Sequence, residues 1–125
     1  MTLATQDLEY TDDGTTLDGV VVLDEGRSDE RPGVLLIHGG AGLDDHARGQ
    51  ARRYAELGYV VLACDMYGRG IAGDRERVMA TLTGLRDAPD RLAQRAAAGL
   101  AALSARAEVN GRLAAVGAAG GAGHA

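Results

Sequence analysis

The stretch Gly33–Asp65, "GVLLIHGGAGLDDHARGQARRYAELGYVVLACD", decides the fold. Val34–Ile37 is a short, continuous apolar run, the pattern of a strand buried on both faces. Asp44 or Asp45 then supplies a helix N-cap. Ala47, Ala51, Tyr54, Ala55 and Leu57 follow at helical spacing, and Gly58 is placed as the C′ residue. Tyr59–Ala63 is a second buried strand. The sequence therefore predicts a βαβ unit, with parallel strands and a right-handed crossover.

Upstream, "LEYTDDGTTLDGVVVLD" places Asp12-Asp13-Gly14 between two extended runs, a hairpin signal. Glu25–Pro32 is polar and charged and reads as a surface loop. Downstream, Gly68, Gly70 and Gly73 mark a loop. "DRERVMATLTGLR" predicts a helix with Val78, Leu82 and Leu85 on one face and a solvated start at Asp74–Arg77. Pro89 separates it from a second helix, with Asp90 as its cap and Leu92, Ala96, Leu100 and Leu103 as its stripe. Gly111 ends a turn, and Leu113–Val116 is the last strand. The order is hairpin, β, α, β, α, α, β, with no repeat and no interior linker.

Composition bounds the function. A chain of 125 residues is one domain at most, and 46% apolar content is enough for a core. That core is built from Ala, Val and Leu, since the chain has no Phe and no Trp. All 13 basic residues are Arg, for which no local chemistry gives a reason. The net charge of −5 argues against a nucleic-acid partner. A lone cysteine excludes an internal disulfide. The N-terminus has no basic and apolar regions of a signal peptide, and no apolar run approaches the roughly twenty residues of a membrane helix. The expectation is a soluble, cytoplasmic protein.

Three stretches bear on chemistry. In "IHGG", Ile37–Gly40, a buried strand runs into paired glycines whose N–H groups can face a developing oxyanion. The same glycines serve equally as a tight strand-to-helix turn. In "LACDMYGRG", Leu62–Gly70, Asp65 and Tyr67 follow a parallel strand, at the edge where open α/β sheets place their sites. Cys64 there reads as a small buried hydrophobe, having no evident base. The tail "GAAGG", Gly117–Gly121, has the glycine frame of a nucleophile elbow, but its nucleophile position is Ala119. The rival phosphate loops lack either the G-x-G-x-x-G order before a helix or a Lys. His38, His46 and His124 have no metal-ligand spacing, so no metal and no cofactor is expected. His124 reads as a surface residue near the chain end.

Together these residues resemble the dienelactone hydrolase family of the α/β-hydrolase fold. The likeness runs from "YTDDGTTLDGVVVL" through "RPGVLLIHGGAGLDDHARGQARRYAELGYVVLACDMYGRG" to "RLAAVG", and is most specific in "ELGYVVLACDMYG". It implies ester or lactone hydrolysis by a Cys-His-Asp triad through an acyl-enzyme. The oxyanion-hole donors would be the N–H groups of Gly40 and Gly120. The departures are specific. The Cys of the elbow becomes Ala119, and a Glu that often follows the strand-end His falls at Gly39. Arg77 is a loose match for a substrate-carboxylate arginine. The acid and base of the family lie after later strands.

The resemblance thus implies a truncated α/β-hydrolase, with an N-terminal hairpin followed by a mostly parallel sheet with flanking helices. Residues 1–125 would be the N-terminal half of the domain, without a catalytic triad and inactive alone. Leu113–Val116 would become an apolar sheet edge. Through that edge the chain would self-associate or take up a complementary fragment. The rivals are a non-catalytic interaction protein, or half of a split hydrolase, and, last, a nucleotide-binding α/β domain.

Overall fold

A computed structural model of the chain describes residues 2–38, 44–71 and 74–118, with residue 118 described by its backbone alone. The elements are β1 (Leu3–Asp12), β2 (Thr15–Asp24), β3 (Arg31–His38), α1 (Asp45–Glu56), β4 (Val60–Cys64), α2 (Arg75–Asp87), α3 (Pro89–Ser104) and β5 (Val109–Ala118). They form a five-stranded sheet in the order β1-β2-β4-β3-β5. The β1–β2 hairpin joins β4 antiparallel, while β4, β3 and β5 are mutually parallel. The sheet is therefore mixed, with the expected parallel portion built on the β3-α1-β4 unit.

The hairpin turns on Asp13 and Gly14, both at positive φ (50° and 81°), as a two-residue type I′ turn requires. Alternation along β2 then sorts the core into two layers. Val20 and Val22 face the α1 side, with Val34, Leu36, Val61 and Ala63. Val21 and Leu23 face the α3 side, with Leu35, Val60, Leu62 and Cys64. Helix α1 meets its layer through Ala47, Ala51 and Ala55, so small side chains let it lie close to the strands. Asp44 is its N-cap and accepts the Ala47 N–H, and Gly58 follows at φ 103°. Leu57, placed on the apolar stripe by spacing, is 73% exposed because it falls on the C-cap, beyond the last packed turn.

Helix α3 differs more from its predicted form. Its cap is Ala88, which makes no side-chain bond, and Pro89 opens the helix while Asp90 lies in its first turn. Its buried residues are Arg95, Gly99 and Leu103. Ala96 and Leu100 pack at the margin of the core, and Leu92 is 42% exposed. The buried face is thus rotated from the apolar stripe because Arg95 has a buried carboxylate to reach, a partner that periodicity does not report.

Two further boundaries move. Strand β3 begins at Arg31, inside the expected loop, and Arg31 is only 2% exposed. Its guanidinium donates to the carbonyls of Asp24 and Asp29, which allows a charge to be buried there. Strand β5 begins at Val109, and Gly111 (φ 91°) lies within it. The register passes from Arg31↔Val109 to Gly33↔Leu113, so the glycine sits in an irregularity of the ladder, not at a turn's end. Among the described residues β1 and β5 are the two sheet edges, and most of β5 is exposed.

Candidate active site

Parallel pairing brings Ile37 of β3 level with Cys64 of β4, so His38 and Asp65 leave the sheet side by side at its carboxyl edge. Asp65 organises the loop that follows. Its Oδ1 accepts the N–H groups of Tyr67 (2.9 Å) and Gly68 (3.0 Å), and its Oδ2 accepts the Asp18 N–H from β2 (3.1 Å). Gly68 (φ 121°) then turns the chain, and the Arg69 N–H donates to the Thr16 carbonyl. The Arg69 side chain pairs with Asp18 and Glu9 on the surface. The D-x-Y-G loop is thereby sewn to the hairpin, and Asp65 works as its staple.

His38 is buried, and its Nε2 accepts the Met66 N–H at 3.0 Å. That nitrogen therefore carries no proton in this arrangement. The ring also packs tilted against Tyr67, with centroids 4.8 Å apart. His38 anchors one strand end to the neighbouring loop, and Nε2 is committed to that contact. Burial raises the Tyr67 phenol above its ordinary value. Cys64 is fully buried, and its thiol is pushed up to about 12 by burial and then by the Asp65 charge. It is the small buried hydrophobe expected, and the charge acting on it is the negative one of Asp65, the opposite of what a reactive thiolate needs.

Beside this edge lies a mainly apolar pocket of about 240 Å³. Ile37, His38, Met66 and Tyr67 form its sheet-side wall; Leu82, Leu85 and Arg86 of α2 and Leu92 of α3 form the other. A cavity of about 300 Å³ opens on the α1 side along β5, between Tyr54, Tyr59 and Val116. It is distant from the carboxyl edge, so the smaller pocket is the better match to the chemistry.

The oxyanion candidates Gly40 and Gly120, the nucleophile position Ala119, and Gly39, Gly73 and His124 lie outside the described residues. His46 is exposed in the first turn of α1. Arg77, the loose carboxylate match, is also exposed, while Arg86 on the same helix lines the pocket. Among the described residues no three His, Cys, Asp or Glu side chains gather as a metal site. Nor, among the described residues, is any helix long and apolar enough to cross a membrane. Sequence reasoning missed Arg86, and it missed the buried Arg95, whose only local signal is its phase with Gly99 and Leu103.

A βαβ core with an antiparallel hairpin and a pocket at the carboxyl edge defines an α/β protein whose pocket lies where open α/β sheets place their sites. The dienelactone hydrolase family model matches residues 17–125, and the chain belongs to that family. A dienelactone hydrolase-like promiscuous phosphotriesterase from metagenomic libraries is 38% identical, with a TM-score of 0.87 over 94% of this chain and 49% of its own. The protein m3DLH is also 38% identical, with a TM-score of 0.81 over 94% of this chain and 50% of its own. A dienelactone hydrolase from Anabaena variabilis, 18% identical, shares the fold at a TM-score of 0.71, over 94% of this chain and 52% of its own. No curated protein matches the sequence. The chain spans about half the length of these solved relatives.

Proposed function

We propose that this chain supplies the hairpin, the βαβ core and part of the acyl pocket of a carboxylic ester or lactone hydrolase, and that these 125 residues alone do not turn substrate over. The carrying observation is the apolar pocket at the carboxyl edge of β3 and β4, walled by His38, Tyr67 and α2. Its size suits a small acyl or aryl group, and Arg86 adds a positive charge to its wall. Inactivity is supported at the two candidate nucleophile positions. In sequence, Ala119 stands where the resemblance puts the nucleophile, and Cys64 is a buried, protonated thiol. By position, Gly40 and Gly120 would hold the oxyanion of the complete site.

The test is purified chain with 4-nitrophenyl acetate and, because one relative is described as a phosphotriesterase, with an aryl phosphotriester. No release above buffer is expected, and sustained turnover of either would sink the claim of inactivity. A thermal shift with NAD or ATP would instead favour the nucleotide-binding rival.

A second reading, interaction through the sheet edge, has its own observation. The apolar β5 edge is largely exposed and borders the 300 Å³ groove. The occupant would be a second copy or a complementary hydrolase fragment. Sedimentation velocity across a concentration series tests self-association, and a strictly monomeric chain would remove that form of the reading. Cell fractionation tests the cytoplasmic expectation.

A further inference from the structure

We propose that Arg95 is a positioning residue that holds the pocket rim from behind, an inference that rests on reading the β3–β4 carboxyl edge as the site. Arg95 is 4% exposed in the middle of α3. Its Nε donates to Asp12 Oδ2 at 2.8 Å, and its Nη1 to the Met66 carbonyl at 3.0 Å, with the Tyr67 carbonyl at 3.5 Å. Asp12, buried at the end of β1, also accepts from Gln94 Nε2 through its other oxygen. The N–H of Met66 donates to His38 Nε2.

Met66 is therefore gripped at both of its backbone polar groups. Arg95 takes its carbonyl, and His38 takes its N–H. The ends of β3 and β4 and the Met66–Tyr67 wall of the pocket are joined through these bonds to a guanidinium fixed by the hairpin.

Docking α3 on the sheet would not require this arrangement. A buried ion pair is on average no more stabilising than apolar residues of similar volume. The planar fork of Arg instead allows one side chain to satisfy a carboxylate and loop carbonyls together. Lys, a single ammonium, does not reproduce that geometry. The arrangement thus specifies where the loop sits, and through it where Met66, Tyr67 and His38 stand around the pocket.

The test uses the isotope-labelled full chain and the variant Arg95→Lys, with Arg95→Met as a second. The readouts are the His38 ring nitrogen shifts and the amide exchange of Met66. In the wild type, Nε2 is expected to resonate as an unprotonated, hydrogen-bonded nitrogen. In Arg95→Lys, Met66 exchange should quicken by about tenfold and the Nε2 signal should move, while Leu35 and Leu62 keep their protection. Unchanged Met66 and His38 signals in a folded Arg95→Lys chain would overturn the proposal. So would an equal loss of protection at Leu35 and Leu62, which makes Arg95 a general stabiliser only. Arg95→Lys decides between these outcomes even where Arg95→Met fails to fold. Titration with benzyl methyl ketone, a non-hydrolysable ester isostere, addresses the site separately. Shifts at Tyr67 and Leu82 are expected, and their absence would refute the site reading while leaving the Met66 clamp to stand or fall on the Arg95→Lys result.

Discussion

A glycine-to-alanine change should have opposite effects in α2 and α3, and the difference measures how closely α3 lies on the sheet. In an exposed helix interior, Ala is favoured over Gly by about 1 kcal/mol. A Cβ built at Gly84 of α2 meets nothing within 4 Å, so Gly84→Ala should raise stability by about that amount. A Cβ at Gly99 of α3 would stand 2.9 Å from Leu35 Cδ1, 3.4 Å from the Tyr10 hydroxyl and 3.5 Å from Cys64 Cβ. Leu35 and Cys64 are fully buried, so Leu35 Cδ1 would have to shift within the packed core to admit the methyl group. Overpacking of this kind costs about 1–3 kcal/mol, so after the propensity gain Gly99→Ala should lose about 1 kcal/mol. The two variants should differ by about 2 kcal/mol. With a urea slope of about 1–2 kcal/mol per molar, their midpoints should lie about 1 M or more apart. Urea unfolding followed by circular dichroism reads this directly. A Gly99→Ala midpoint at or above the wild type would refute the close contact of α3 with β3 and β4, and with it the reach of Arg95 to the Met66 carbonyl.

The remaining predictions use chemistry and charge. Cys64 should resist a disulfide reagent at pH 8 in the folded chain and react at a rate that follows unfolding; rapid stoichiometric labelling without urea would contradict its burial. Because the Cys64 pKa is raised from 9.0 to about 12, its contribution is complete below 9 and is lost as pH rises towards 12. The Asp24 carboxyl is lowered, first by the Thr2 N–H and also by the Gly26 N–H, so its contribution is present above 3.8 and is lost as pH falls through its depressed value. Thermal melts across pH should therefore fall at both extremes, and Cys64→Ala should lessen the alkaline fall, leaving the share of the raised tyrosine phenols, with the acid limb unchanged. Ala114→Lys, a charge on the exposed β5 edge, should shift sedimentation towards monomer; unchanged association would place the contact elsewhere.

Short-range patterns make much of the fold legible. The Asp13-Gly14 turn, the Asp44 cap and Gly58 each act through backbone geometry within a few residues. The continuous apolar runs of β3 and β4 likewise report burial on both faces. Less of the site is legible. His38 and Asp65 are visible as strand-end residues, but their tasks depend on Met66 and Asp18, to which His38 and Asp65 respectively bond across the fold. The pocket depends on α2 lying across the carboxyl edge, which brings Arg86 to its wall where the family resemblance suggests Arg77.

The sequence by itself determined the βαβ core and the hairpin, because each rests on local propensity, turn chemistry or a run of apolar residues; the family was legible only as a resemblance carried by motifs such as "ELGYVVLACDMYG". Only the tertiary structure decided which face of α3 is buried and that Arg31 and Arg95 are interior charges. Periodicity counts apolar residues and would leave an arginine outside. Arg95 is buried because Asp12, 83 residues away in sequence, brings the compensating charge to within 2.8 Å. A neighbour of that kind exists only once the chain has folded.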